Sequence, residues 1–183
     1  MDFVITEIIV LFIIAGLFLI LSGVWPPDSP WAPWWQMPDD VIRKMCKAAK
    51  ISKKDKIFDL GCGTGRALCI SASEFGAKGI GVEIDPLRVL IAKFNIRRFG
   101  VRQKVEILKR NFFDVDISDA SVIFVYLVPK ALSALSKKFF NQLKPGTILV
   151  TYIYDFPKRA YKGKIKLIEH DSVSKFYIYK LLG

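Results

Sequence analysis

No charge interrupts the run from Ile8 to Trp25, and the apolar character starts earlier, at Phe3. As a helix, Phe3 to Val24 would extend about 33 Å, matching a hydrocarbon core of about 30 Å, so the pattern predicts one transmembrane helix within residues 1–25. Glu7 sits near one end of the run, within reach of headgroups. A cleaved signal peptide would begin with positive charge and end at small residues, whereas this run begins with Asp2 and Glu7 and ends in Val-Trp-Pro-Pro. A soluble core helix would not be apolar on every face for this length.

Pro26, Pro27, Pro30, Pro33 and Pro38 make residues 26–38 a stiff, extended connector, because each proline sets its own φ and disfavours helix before it. The remaining residues, 39–183, read as one domain. Asp39 or Asp40 is suited to cap a helix through about Lys50, with Val41, Ile42, Met45 and Ala49 as its apolar stripe. Strands then fit 56–60, 79–83, 105–109, 122–127 and 148–154, and helices fit 67–75, 86–99 and 131–143. This alternation predicts an α/β, Rossmann-like sheet, mostly parallel, with helices on both faces. Two final strands, near 164–169 and 176–181, are close enough in sequence to pair antiparallel at an edge.

Charge refines this picture. The chain carries 28 Lys and Arg against 17 Asp and Glu, a net +11. Asp2 and Glu7 are the only charges before residue 26, so the remainder carries two more, +13. Beside a membrane span, the simplest partner for such a domain is the anionic lipid bilayer surface; nucleic acid is the competing one. Arg43, Lys44 and Lys47 follow the span closely and predict a cytoplasmic domain. Trp25, Trp31, Trp34 and Trp35 cluster just after it, either as interfacial anchors or at the mouth of a site. Cys46, Cys62 and Cys69 have neither zinc-site spacing nor an even count, so no metal is expected and reduced thiols are.

The chemistry concentrates in Ile57-Phe58-Asp59-Leu60-Gly61-Cys62-Gly63-Thr64-Gly65-Arg66, which joins the first strand to the next helix. Ligands of open parallel sheets bind at such strand ends, where glycines permit a tight turn and close backbone approach. Arg66 stands where a dinucleotide fingerprint needs glycine, and the Gly-Lys-Ser/Thr of a phosphate loop is missing. Asp59 is unfavourable beside a pyrophosphate but suits a ligand bearing positive charge. Glu83 ends the second strand, where its carboxylate can accept from both hydroxyls of a ribose.

Asp59 to Gly65 resemble the S-adenosylmethionine (SAM) binding loop of class I methyltransferases, and Gly81-Val82-Glu83-Ile84-Asp85-Pro86 resembles their second motif. The resemblance implies a seven-stranded fold with SAM as cofactor, held by Asp59, Gly61, Cys62, Gly63, Gly65, Glu83 and Ile84, with the adenine near Asn111 and Phe112. The stretch from Arg110 to Ala120, with Leu143-Lys144-Pro145-Gly146-Thr147, is similar to the small protein-lysine methyltransferases of archaea and their relatives, among them the mitochondrial enzyme that methylates a lysine of the ATP synthase c subunit. That similarity covers roughly residues 37–154. The chain departs from the family at Trp34-Trp35-Gln36-Met37-Pro38, where a Pro-Thr-Pro-like segment is expected, and at Thr64, where a second acidic residue is.

The acceptor channel is expected after the fourth strand, with Tyr126 either positioning the acceptor or serving as an ordinary strand-end aromatic, and with Trp34, Trp35, Leu127, Pro129 and Phe156 lining the channel; Tyr152, Asp155 and Phe156, after the fifth strand, would line its entrance. The Asn-Pro-Pro-Tyr pattern of base methylation is missing at 126–129, which argues against nucleic acid. His170 reads as an exposed loop residue. The expectation is a membrane-anchored, SAM-dependent methyltransferase acting on lysine side chains of membrane-associated proteins. A methyltransferase for a membrane-soluble quinone or lipid, and a non-enzymatic SAM-binding membrane module, are the alternatives.

Overall fold

The structure, a computed structural model, describes residues 2–24 and 35–183, with side chains from 4–18 and from 35 onward. The connector prolines Pro26, Pro27, Pro30 and Pro33, and Trp25, Trp31 and Trp34, lie outside the described residues. Helix α1 covers Asp2–Val24. Among the described residues no helix is long and apolar enough to cross a membrane, so the expected span is not found there. The described large apolar side chains of α1, Val4, Ile5, Ile8 to Ile14, Leu17 and Phe18, are nonetheless exposed, and none joins the buried core.

The domain alternates as expected: α2 (Asp39–Ala48), β1 (Lys56–Leu60), α3 (Arg66–Glu74), β2 (Lys78–Glu83), α4 (Pro86–Arg98), β3 (Val105–Lys109), β4 (Val122–Val125), α5 (Pro129–Gln142), β5 (Ile148–Tyr152), α6 (Lys158–Tyr161), β6 (Ile165–Asp171) and β7 (Phe176–Leu181). A 3-10 turn at Phe112–Asp114 follows β3. The seven strands run in the order β3-β2-β1-β4-β5-β7-β6. β1 to β5 pair parallel, and β7 runs against both β5 and β6. The reversed strand is therefore one place in from the edge, with β6 outermost. His170 lies on β6 with its ring stacked 4.2 Å from that of Tyr177, a strand residue rather than a loop residue.

Strand alternation sorts the core into two layers. Ile57 and Val122 face α2, α3 and α4, packing with Ile42, Leu68 and Ala92. Phe58, Leu60 and Ile123 face α5 and α6, packing with Leu132, Phe139 and Tyr161. By the same alternation Asp59, Gly79, Gly81 and Glu83 fall on the α2/α3 face. α3 lies tightly on that face: a Cβ on Gly79 would meet Leu68 Cδ2 at 2.7 Å.

Two local expectations change. Pro38, not an aspartate, occupies the α2 N-cap position, and Asp39 is the first residue of the helix. Its carboxylate turns instead to Arg66. α5 begins at Pro129, which suits a first helical position because its missing N–H would be unsatisfied there anyway. Strand β4 consequently ends at Val125, before Tyr126.

Candidate cofactor and acceptor site

Between β1 and β4 the sheet order reverses, and this is where an open α/β sheet leaves a crevice beyond its strand ends. The crevice is occupied by the glycine loop. Gly61, Gly63 and Gly65 adopt φ of +83°, +53° and +70°, a region that L side chains enter only with strain, so the loop's path depends on glycine. The amides of Gly61 and Cys62 both donate to the Val82 carbonyl at 2.8 and 3.1 Å, which folds the loop over the end of β2. Gly81 makes that approach possible: a Cβ there would lie 2.7 Å from Cys62 Sγ and 2.6 Å from Ile107 Cδ1.

Glu83 is buried and holds the loop from the other side. Its Oε2 accepts from the Gly63 amide at 2.9 Å, while Oε1 accepts from Ile84 and Asp85 amides at 2.9 and 3.0 Å. A carboxylate offers about four acceptor positions. Three are taken by backbone, so Glu83 latches the loop here and has capacity for about one further bond, rather than the two expected for a pair of ribose hydroxyls. Asp59 is also largely buried, on the wall of the same cleft. Burial, and then the negative charge of Glu83, push its carboxyl up to about 7. A positively charged ligand group beside it would favour its ionised form.

Of the residues expected at the cofactor, Asp59, Gly61, Cys62, Gly63, Glu83, Ile84 and Phe112 line one cleft. Gly65 stands behind it as the α3 N-cap residue. Asn111 is not among the lining residues: its side-chain oxygen accepts from the Phe113 amide and caps the 3-10 turn. The cleft continues to Tyr126 and Leu127 and is roofed by Trp35, Gln36 and Met37. Pro129 and Phe156 do not line it. Phe156 is 2% exposed and packs against Tyr161 at 4.6 Å and Tyr179 at 5.2 Å, an aromatic core residue rather than a channel residue. Asp155 is likewise engaged, accepting from the Tyr179 hydroxyl.

Two contributors escaped the sequence reading. Arg66, noted only for not being glycine, forms a bidentate pair with Asp39, Nε to Oδ1 and Nη2 to Oδ2 at 2.6 Å. The pair ties the segment carrying Trp35 to Met37 to the start of α3, across the cleft mouth. Arg88 is buried and lines the cleft from the first turn of α4. Its place just after Glu83 and the Asp85 cap was the available clue.

At the far end, Tyr126 lies edge-on to Tyr152, ring centres 4.8 Å apart. Burial, then the nearby Tyr152 and Tyr154 hydroxyls, hold its phenol up at about 12. It therefore stays neutral at ordinary pH. Such a group can accept from an amine N–H but cannot remove its proton. Ile153, between the two other tyrosines, has φ +64°, strained for a β-branched residue, and is held by its amide donating to the Lys175 carbonyl at 2.7 Å.

Comparison with known proteins accords with this geometry. Residues 59–162 match the ANTKMT methyltransferase domain. The chain belongs to the ANTKMT methyltransferase family. A protein-lysine N-methyltransferase of Saccharolobus islandicus is 36% identical over 151 residues, 82% of this chain and 94% of its own. A structure described as an RNA methyltransferase from Salinibacter ruber in complex with S-adenosyl-L-homocysteine is 31% identical, with TM-score 0.73, covering 81% of this chain and 94% of that one. A ribosomal protein L11 methyltransferase of Alkaliphilus oremlandii is 35% identical over 101 residues, but these are 55% of this chain and 32% of that protein.

As an ANTKMT-family member, the chain is a SAM-dependent methyltransferase. The residues fit that cofactor: the Asp59 carboxylate on the cleft wall for positive charge, a glycine loop open to close approach, and the apolar Phe112 beside it. When bound, SAM supplies a methyl group on a positively charged sulfur. The ANTKMT domain itself contributes the latched loop, a dry wall at Leu127 and the neutral hydroxyl of Tyr126.

Proposed function

We propose that the acceptor is a lysine side chain of a protein held at a membrane, and that α1 anchors the enzyme there with its domain on the cytoplasmic side. The observation that carries the lysine assignment is the 36% identity to a protein-lysine N-methyltransferase across nearly the whole domain. The site chemistry is consistent with it. Transfer to an amine needs no nucleophilic side chain or metal, only a deprotonated amine positioned near contact, an effect that can contribute about 7 to 11 kcal/mol. Desolvation favours a neutral amine over an ammonium, and Leu127, Phe124 and Val125 make that wall of the cleft apolar. Tyr126 orients the amine.

The anchoring is supported by α1, whose described side chains from Ile8 to Phe18 are apolar and lie outside the core. Tethering raises the effective concentration of acceptors in the same bilayer. The description of the Salinibacter ruber structure favours RNA as a second reading, and the basic domain accords with it. One experiment separates these. The full chain is incubated with radiolabelled SAM and membrane, lipid and RNA fractions from its own source. Label in membrane protein, recovered as methyl-lysine, is the expected result; label removed by ribonuclease or extracted with lipid would refute the lysine assignment.

A further inference from the structure

Helix α4 has two apolar faces, and the fold uses one. Val89, Ala92 and Ile96 are buried against the sheet, while Leu87, Leu90, Ile91 and Phe94 are 56%, 66%, 38% and 61% exposed. These four stand at i, i+3, i+4 and i+7, so they form one continuous stripe about 100° wide on the side facing away from the core. Scattered exposed hydrophobics are ordinary, but a contiguous stripe of four large ones marks a contact surface.

The charge around the stripe identifies what it meets. α4 carries Arg88, Lys93, Arg97 and Arg98 and no carboxylate. Lys93, Arg97 and Arg98 are exposed; helical spacing puts Arg98 at the end of the stripe, with Lys93 and Arg97 along one side. An apolar stripe bordered by long cationic side chains, whose stems can lie along it while their heads reach outward, is the pattern of a helix lying in a lipid interface. Position adds to this. Ile84, two residues before α4, and Arg88, in its first turn, line the same cleft as Trp35 to Met37, the segment to which the chain from α1 leads.

We propose that the outer face of α4 docks on an anionic lipid bilayer and so holds the mouth of the cleft at the membrane surface. This deepens the membrane-tethered reading and rests on it for the nearness of a bilayer. A second copy of the chain is a poorer occupant: two-fold pairing of α4 would bring the cations of both copies together with no acidic residue on either helix. Leu87, Leu90, Ile91 and Phe94 enter the acyl boundary, and Lys93, Arg97 and Arg98 meet lipid phosphates.

The test uses the full chain in phosphatidylcholine nanodiscs with or without phosphatidylserine. Leu90→Cys or Phe94→Cys is labelled with an environment-sensitive fluorophore, the native Cys46, Cys62 and Cys69 being buried. Lys137→Cys, exposed on α5 in the opposite layer, is the control. The expected result is a blue-shifted emission at 90 and 94, quenched severalfold by spin-labelled lipid when phosphatidylserine is present, with water-like emission at 137. Water-like emission at all three sites, in chain that resists carbonate extraction, overturns the docking while the anchor stands. A shift at 90 and 94 on adding phosphatidylserine vesicles to chain that nanodiscs do not retain supports docking and removes the anchor. A shift that needs no lipid and grows with protein concentration assigns the face to a second copy and overturns the proposal.

Discussion

Replacing Glu83 with glutamine tests whether the loop latch holds the site together. The carboxylate accepts three backbone amides, with Gly63 on one oxygen and Ile84 and Asp85 on the other. Glutamine keeps one acceptor oxygen and substitutes an NH2 donor for the other. If the remaining oxygen serves Ile84 and Asp85, the Gly63 N–H faces a donor and loses its partner. Glu83 is 6% exposed, so water does not readily replace that bond. A hydrogen bond to a charged group is worth about 1.5–3 kcal/mol. At about 2–4 °C per kcal/mol for a chain of this size, Tm should fall by about 3–12 °C. Because cofactor binding requires the loop in its latched form, the same loss should weaken binding by about 10- to 100-fold. Scanning calorimetry gives Tm, and titration with S-adenosylhomocysteine gives Kd without turnover. A Glu83→Gln variant with wild-type Tm and wild-type Kd would refute the latch.

Four further outcomes follow from the same geometry. Asp59 is held up at about 7, above its unfolded value of 3.8, so the folded chain binds this proton more tightly and the stability it contributes is full below pH 3.8 and lost as pH rises through 7; Asp59→Asn should flatten that slope in urea denaturation and stabilise the ligand-free chain at pH 8 by a few kcal/mol. Gly81→Ala forces Cys62 or Ile107 to move, and should cost about 1–3 kcal/mol in urea unfolding along with a measurable loss of cofactor affinity; an unchanged midpoint would show that the loop does not depend on the close approach. Tyr126→Phe should lower turnover by roughly tenfold, the worth of one hydrogen bond, with Kd for S-adenosylhomocysteine unchanged, and a shift in Kd instead would assign Tyr126 to the cofactor. Coupling between Asp39→Ala and Arg66→Ala, both partners being 31% exposed, should come to about 0.2–1 kcal/mol in a double-mutant cycle, with a coupling of zero removing the tie across the cleft mouth.

Local pattern carried much of this protein. The β/α alternation, the five parallel strands and the order of motifs along them were legible because periods of 2 and 3.6 and the placement of glycine are properties of short stretches of chain. The same holds for Asp59, Gly61, Gly63 and Glu83 at the ends of β1 and β2, where strand-end position alone aims a residue at the crevice. Less was legible where a side chain's role depends on its partner. Asp39 looked like a helix cap until Arg66, far along the chain, took its carboxylate. Phe156 looked like a channel residue because it follows β5, yet α6, which no periodicity announced, draws Tyr161 against it and closes an aromatic core.

The division has a physical basis. Sequence by itself determined which segments are helix or strand, which faces are apolar, and that a positively charged ligand belongs at a glycine loop, since each depends on nearest neighbours in the chain. Only the tertiary structure decided that Glu83 spends three of its acceptor positions on backbone, that Gly81 exists to admit Cys62, and that the second apolar face of α4 is left uncovered. Those outcomes rest on distances between residues remote in sequence, and a pattern along one chain does not specify which of two apolar faces the sheet will bury.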